Sequence, residues 1–168
     1  MKLLLVRHGV AADRDEFAQS GEPDEKRPLT DDGRKKMKQA ARGLSQIVKQ
    51  IDVIATSPLT RALETADVLA KQYHSAMRIT LDALVPEQSF DAFLEWLQRL
   101  DDVGVVAAVG HEPHLSGLAS WLVTAEVKPL VDFKKGGMCL LEYDGPVERG
   151  AARIQWLLTP RQLRALKD

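Results

Sequence analysis

Two histidines and two arginines have the residue types and the spacing that could do chemistry in this chain. Arg7 and His8 stand side by side after a short apolar run, and His111 follows a second apolar run and a glycine. Arg61 comes shortly after a Ser-Pro pair. Arginine presents a planar fork of N–H donors that matches phosphate oxygens, and a histidine among such cations can act as a nucleophile or a proton donor. The combination favours phosphoryl transfer through a phosphorylated histidine, with the cations neutralising charge.

Alternating strands and helices are needed to position these four residues. Wholly apolar runs indicate strands buried on both faces, and apolar residues at helical spacing indicate helices packed against a sheet. Strands are predicted over residues 3–6, 52–55, 78–81 and 103–109. Helices are predicted from an N-cap at Thr30 to about residue 50, from an N-cap at Ser57 with Pro58 at N1 to about residue 73, and over 91–100 and 114–123. The polar segment 12–28 is predicted to be a long loop.

The C-terminal part of the sequence completes the predicted fold. Segments 138–143 and 153–158, joined by a short turn at 144–146, indicate an antiparallel hairpin, and Thr159-Pro160 indicates the start of a short final helix. We therefore expect an α/β fold, a three-layer α/β/α sandwich with a mostly parallel central sheet and an antiparallel edge hairpin. Ligands bind beyond the carboxyl ends of the strands in such sheets, which is where His8, Arg61 and His111 would meet.

Length and charge set further bounds. The chain has 168 residues, with 23 Lys and Arg against 24 Asp and Glu, so its formal net charge is -1. This length predicts one domain over residues 1–168. Because a near-zero charge gives no field to hold polyanions, we expect no nucleic-acid partner. The apolar run 3–6 is too short for a membrane span and leads directly into a charged residue. We therefore expect no membrane association and a cytoplasmic monomer.

Four motifs in sequence order resemble those of the histidine phosphatase superfamily. They are residues 5–9 with Arg7-His8-Gly9, residues 27–30 with Gly33, residues 56–62 with Glu64-Thr65-Ala66, and residues 109–111. The short length and the segment 110–113 resemble the small SixA-type branch of phosphohistidine phosphatases. The combination of an Arg-His-Gly motif, a Ser-Pro-x-x-Arg-Ala motif and a later Gly-His is specific.

The resemblance implies a role for each of the four residues. His8 would be the nucleophile that becomes phosphorylated, and Arg7 and Arg61 would bind the phosphoryl oxygens. His111 would be the second histidine of the pocket and stabilise the charge on the transferring group. The resemblance implies no metal and no cofactor, because the arginines supply the positive charge. Two nearby cations are expected to lower the pKa of His8 by like-charge repulsion, so that its ring is neutral and nucleophilic.

A general acid is harder to assign. Larger members of the superfamily carry an acidic residue after the third strand, and Glu87 is the nearest candidate by position. A solvated loop carboxylate is the competing interpretation of Glu87. Glu112 is interpreted as a supporting partner of the pocket and His114 as a residue of the helix face. General-acid help is typically worth about 10²–10⁴-fold, and an alkoxide leaving group needs it more than a phosphohistidine nitrogen, which water can protonate before the N–P bond breaks.

The expected function follows from the length as well as from the motifs. A chain of 168 residues has little room for a subdomain that covers the site, so the site would be open to a phosphorylated protein such as a histidine phosphotransfer domain. A phosphatase of small O-phosphoesters with Glu87 as acid is the enzyme alternative. A non-catalytic phosphate-binding module is the other alternative. The basic run 34–38 predicts a solvated helix face, with docking to an acidic partner as the other interpretation.

Overall fold

The structure is a computed structural model that describes residues 1–166, and its centre is one six-stranded sheet. The strands are β1 (Lys2–Arg7), β2 (Val53–Thr56), β3 (Met77–Thr80), β4 (Val105–Gly110), β5 (Met138–Glu142) and β6 (Arg153–Leu158). The helices are α1 (Arg14–Ala18), α2 (Asp31–Ile47), α3 (Thr60–Gln72), α4 (Phe90–Gln98), α5 (His114–Thr124) and α6 (Pro160–Ala165). Within the described part of the chain, no helix is long and apolar enough to cross a bilayer.

The strand order confirms the predicted α/β architecture. The order is β3-β2-β4-β1-β5-β6, in which β3, β2, β4 and β1 are parallel while β5 and β6 run antiparallel at one side. The edge hairpin is therefore present, although residues 143–152 join its strands instead of the short turn predicted at 144–146. The first four strands are each followed by a helix, as parallel pairing requires.

Both faces of the sheet are covered because the residues of the central strands alternate between two cores. Leu3 and Leu5 of β1 belong to the core that also contains residues of α4 and α5. Leu4 and Val6 point the other way, into the core formed with α2, α3 and α6. This is the pattern expected of a strand that is apolar at every position and buried on both sides.

The register of the parallel strands aligns their carboxyl ends. Arg7 at the end of β1 lies opposite Gly110 at the end of β4, and Thr56 at the end of β2 lies opposite Val109. Backbone hydrogen bonds continue beyond the strands, since His8 N–H donates to the Gly110 carbonyl at 3.0 Å. The ends of three strands therefore meet at one edge of the sheet, as the sequence predicts.

The segment 12–28 is more ordered than the loop that was predicted. It contains helix α1 and a 3₁₀ turn over Asp24–Lys26. Helix α1 starts where the Asp13 carboxylate accepts hydrogen bonds from two backbone N–H groups of the first turn. An antiparallel bridge between Ala11 and Leu29 closes the base of the segment. The segment is therefore held against the end of β1.

Two of the three predicted helix caps are present. Thr30 accepts from Gly33 N–H at 2.9 Å, and Thr159 forms a capping box with Gln162. The prediction for Ser57 is wrong, because α3 begins at Thr60 with Leu59 as its N-cap and no side-chain cap. Helix α2 also ends at Ile47, before the predicted residue 50.

Candidate active site

A cleft of about 740 Å³ lies at the carboxyl edge of the sheet. The four residues singled out by the sequence, Arg7, His8, Arg61 and His111, all line it. His8 follows β1, Arg61 lies in the first turn of α3 after β2, and His111 follows β4. The topology therefore brings together residues that are far apart in the sequence, as expected for a sheet of this kind.

His8 is buried and held in one orientation. It is 7% exposed, and its Nδ1–H donates to the carbonyl of Gly9 at 2.7 Å. The pKa of His8 is lowered to about 4, mainly by burial and also by repulsion from the guanidinium groups of Arg61 and Arg7. The ring is therefore neutral at pH 7, and the nitrogen that carries its lone pair is Nε2. The repulsion expected from the sequence is present, but burial is the larger cause of the low pKa.

The backbone of Gly9 is itself fixed by a side chain from α3. Gly9 N–H donates to Thr65 Oγ1 at 3.1 Å, and the Thr65 hydroxyl donates to the Arg61 carbonyl at 2.8 Å. Thr65 is fully buried. The orientation of His8 therefore depends on a chain of hydrogen bonds that runs from α3 through the backbone of Gly9.

The two predicted arginines both line the cleft and are held by different parts of the chain. Arg61 is 4% exposed, and its Nη1 donates to the backbone carbonyl of Asp24 at 3.0 Å and lies 3.2 Å from Asp24 Oδ2. Arg7 donates from Nη1 to the carbonyl of Phe133. The Nε atoms of both arginines are buried and have no hydrogen-bond partner among residues 1–166. Part of the donor capacity of each guanidinium is therefore not used by the described chain.

Arg27 contributes a third guanidinium to the cleft; it is buried, and the sequence predicted no role for it. Its Nε donates to Asp24 Oδ1 and its Nη1 to the Ala12 carbonyl, both at 2.8 Å. The hydrogen bond from Arg27 holds the pKa of Asp24 below its usual range. The motif 27–30 was the available signal, but nothing in the sequence indicates that the segment 12–28 folds back to bring Arg27 to His8.

His111 lies beside His8, with 5.1 Å between the ring centroids. It is 2% exposed, and burial, reinforced by the neighbouring His8, lowers its pKa to about 3. Its Nε2 is 2.8 Å from the hydroxyl of Ser57. The sequence did not predict this contact, because a Ser-Pro pair before a helix is typical of an N-cap and indicated that role for Ser57 instead.

Two carboxylates that line the cleft, Glu87 and Glu112, form no hydrogen bond with His8 or His111. Glu87 lines the cleft, but its side chain is exposed and forms no hydrogen bond or salt bridge with the other residues of the described chain. Glu112 also lines the cleft and accepts from the Ser116 hydroxyl at 2.6 Å. His114 is buried on α5, where its Nε2–H donates to the Gln88 carbonyl. Within residues 1–166, no group of three or more His, Cys, Asp or Glu is placed to hold a metal ion.

The sheet topology defines an α/β protein, with basic side chains that converge on a cleft at the carboxyl edge of the sheet. The chain belongs to the histidine phosphatase superfamily, since residues 3–101 match the family model for branch 1. It is 36% identical over 157 residues to an uncharacterised protein of Picosynechococcus sp., a match that covers 92% of this chain and 89% of that protein. It is also 37% identical over 70 residues to the serine/threonine-protein phosphatase Pgam5 of Drosophila yakuba, which covers 42% of this chain and 22% of Pgam5.

Solved structures share the whole fold. The structure of the protein histidine phosphatase SixA complexed with tungstate aligns with a TM-score of 0.82 at 24% identity, covering 97% of this chain and 99% of that chain. A putative alpha-ribazole-5'-P phosphatase from Escherichia coli aligns with a TM-score of 0.74 at 15% identity, covering 95% and 98%. The predicted superfamily and the SixA-type fold are confirmed, and membership of the superfamily supports a phosphatase activity.

Proposed function

We propose that the chain hydrolyses phosphohistidine on a protein through a covalent phosphohistidine on His8. The observation that carries the proposal is the hydrogen bond from His8 Nδ1–H to the Gly9 carbonyl. It leaves the Nε2 lone pair for a phosphorus atom, in a cleft shared with Arg7 and Arg61. The low pKa of His8 keeps this nucleophile unprotonated at neutral pH.

The proposed reaction has two displacements at phosphorus. His8 Nε2 attacks the phosphoryl group, the N–P bond of the substrate breaks, and its electron pair returns to the substrate imidazole, which has taken a proton from water. Water then attacks the phosphoryl group on His8, the Nε2–P bond breaks, and inorganic phosphate leaves. In both steps, Arg7, Arg27 and Arg61 neutralise the negative charge of the phosphoryl oxygens. The proposed reaction therefore needs no metal and no cofactor.

The position of the carboxylates favours an N–P over an O–P substrate. An alkoxide leaving group needs a proton in the transition state, whereas a phosphohistidine nitrogen can be protonated by water first. Glu87 is exposed at the cleft, and the hydrogen bond made by Glu112 is with Ser116. Neither carboxylate is hydrogen-bonded to a histidine of the site, so the cleft is better suited to the leaving group that needs less help.

The likeness to SixA supports a protein substrate. The solved structure that aligns over 97% of this chain is that of a protein histidine phosphatase. The cleft of about 740 Å³ is large compared with a phosphate ion, so that a histidine side chain on a folded partner could reach His8. A histidine phosphotransfer domain is the kind of partner that we propose.

A direct test uses a phosphotransfer domain labelled with ³²P on its histidine. The wild-type chain should release labelled phosphate, and a His8→Ala variant should release none above the spontaneous rate. His74→Ala is a matched control, because His74 is exposed on the chain and does not line the cleft. Equal release by the wild type and His8→Ala would contradict the proposal.

Hydrolysis of small O-phosphoesters is the second candidate, because Glu87 lines the same cleft as His8. In that case Glu87→Gln should abolish the hydrolysis of a sugar phosphate and leave that of phosphoramidate nearly unchanged. Under the leading proposal, phosphoramidate is the better substrate and Glu87→Gln changes neither rate by more than about twofold. A non-catalytic phosphate-binding module would never carry phosphate on His8.

A further inference from the structure

The contact between Ser57 and His111 bears on which ring nitrogen of His111 carries the proton. We propose that Ser57 is a positioning residue that fixes the tautomer of His111, so that His111 carries its proton on Nδ1 and acts as a hydrogen-bond donor toward the transferring phosphoryl group. The contact joins Ser57 Oγ and His111 Nε2 at 2.8 Å, and Ser57 is fully buried. The role in turnover rests on the proposed function, whereas the tautomer itself does not.

The hydrogen bonds of Ser57 determine the direction of this contact. Its Oγ accepts from Leu59 N–H at 3.3 Å, so the hydroxyl proton is free to be donated. His111 Nε2 is the acceptor within reach among the described contacts of that hydroxyl. If Nε2–H donated to Oγ instead, the hydroxyl proton of a fully buried serine would have no acceptor. That direction would leave two buried groups without partners, the Ser57 hydroxyl proton and His111 Nδ1, whereas donation from Ser57 leaves only Nδ1 without one. Because each buried polar group without a partner is costly, Ser57 is the donor and Nε2 the acceptor.

The remaining ring proton of His111 must then lie on Nδ1. The pKa of His111 is lowered to about 3 by burial and by His8, so the ring is neutral at pH 7 and carries one proton. His111 Nδ1 is buried and has no partner among the described residues, and the ring lines the cleft. Its N–H therefore lacks an acceptor, which a phosphoryl oxygen bound in the cleft would supply.

The two histidines would then share one tautomer and present opposite groups to the substrate. The Gly9 carbonyl holds the proton of His8 on Nδ1, so His8 offers the lone pair of Nε2. Ser57 occupies Nε2 of His111, so His111 offers the N–H of Nδ1. A lone pair suits attack on phosphorus, and a donor suits the oxygens on which negative charge is carried. Two neutral rings of the same kind thus have different roles because their backbone and side-chain partners differ.

The tautomers can be read directly by NMR. In ¹⁵N-labelled wild-type protein at pH 7, correlations between ring carbon-bound protons and ring nitrogens should show Nδ1–H at both His8 and His111. Single histidine-to-alanine variants assign the four histidines of the chain. Finding Nε2–H at His111 would overturn the proposal without reference to activity or to any Ser57 variant.

Turnover of phosphoramidate tests the consequence for catalysis. Ser57→Ala should lower kcat about tenfold, equivalent to about 1.4 kcal/mol in the activation barrier, and change KM by less than about twofold. His111 in this variant should show mixed tautomers, and Ser57→Thr, which keeps the hydroxyl, should restore both the tautomer and part of kcat.

Ser120→Ala is the matched control, because Ser120 is also a fully buried serine, and its hydroxyl donates to the Glu126 carbonyl away from the cleft. It should lose stability to a similar extent with unchanged kcat and unchanged histidine tautomers. Equal kcat values for Ser57→Ala and Ser120→Ala, or an unaltered His111 tautomer in Ser57→Ala, would refute the positioning role. A wild-type activity of zero with Nδ1–H at His111 would refute the proposed function and leave the tautomer assignment standing.

Discussion

At the scale of residues, the site combines two buried neutral histidines with guanidinium groups that remain charged. Burial is the largest cause of the low pKa of each histidine, about 4 for His8 and about 3 for His111. A buried imidazole beside cations is difficult to protonate because the charged ring would be poorly solvated and repelled. The same environment therefore sets both the nucleophilicity of His8 and the response of the fold to acid.

The stability of the fold should fall as the pH falls from about 6.5 to about 4. In this window, unfolded histidines take up protons that folded His8 and His111 do not, so protonation favours the unfolded chain. Urea unfolding at pH 7, 5.5 and 4.5 measures the loss. A His8→Asn/His111→Gln double variant should lose less stability over the same range, and an equal or greater loss would contradict buried neutral histidines.

Removing the Thr65 hydroxyl should disturb His8 without altering the shape of the core. Thr65→Val leaves Gly9 N–H buried without its acceptor, which should cost about 1–3 kcal/mol in the free energy of unfolding. We expect kcat for phosphoramidate to fall by about tenfold, since the Gly9 carbonyl that orients His8 is no longer fixed.

Thr124→Val is the control for Thr65→Val, because the Thr124 hydroxyl also forms backbone hydrogen bonds but lies at the end of α5, outside the cleft. It should reduce stability and leave kcat unchanged. A Thr65→Val protein with full kcat would show that the hydrogen bond to Gly9 does not position the nucleophile.

At the scale of elements, two glycines of α2 allow close packing at different places. A Cβ on Gly33 would lie 2.1 Å from the Val10 carbonyl oxygen, in the segment that follows His8. A Cβ on Gly43 would lie 1.8 Å from the Leu163 carbonyl oxygen, in α6. Both distances require the backbone to move, so the two glycines fix how α2 meets the site and how it meets the C-terminal helix.

Substitution of either glycine should lower stability, but only one of the two substitutions should also lower activity. Gly33→Ala and Gly43→Ala should each cost about 1–3 kcal/mol, as expected when a packed contact is overfilled. Only Gly33→Ala should also lower kcat, because it displaces Val10 and through it the residues that follow β1. Thermal unfolding and phosphoramidate turnover measure the two effects, and a Gly43→Ala protein with the lower kcat of the pair would contradict this assignment.

The elements show what could be predicted from the sequence. Apolar runs and the capping threonines Thr30 and Thr159 have local causes, so strands, helices and two caps were predictable. Ser57 was misassigned because its hydroxyl binds His111, which is distant in the sequence. The role of Arg27 was missed for the same reason, since its place in the cleft depends on the packing of segment 12–28. The roles of Ser57 and Arg27 thus depend on contacts with residues that are distant in the sequence, which local patterns do not reveal.

At the scale of the whole molecule, the net charge is -1, but the charges are unevenly distributed and a basic surface lies beside the cleft. A smaller cavity of about 190 Å³ has Lys36, Lys135 and Arg164 in its lining and shares Val10 and Lys135 with the cleft. Positive charge is therefore local to this side of the site. A protein substrate with acidic residues near its phosphohistidine would be attracted here, whereas a small phosphoramidate would not need these residues.

Charge reversal should consequently affect protein and small substrates differently. A Lys36→Glu/Arg164→Glu variant should raise KM several-fold for an acidic phosphotransfer domain and leave KM for phosphoramidate unchanged, with the difference shrinking at high salt. Lys49→Glu, which alters an exposed lysine outside both cavities, is the control. Equal changes in KM for the two substrates would argue against docking at this surface.

Phosphohistidine on His8 can be detected directly by trapping the intermediate. The protein is mixed with ³²P-labelled phosphoramidate, quenched in base within the first turnovers, digested and examined by mass spectrometry. We expect one phosphoryl group on the peptide that contains His8, and none on the same peptide of His8→Ala. Rapid hydrolysis with no phosphate on His8, or with phosphate on His111 instead, would contradict it.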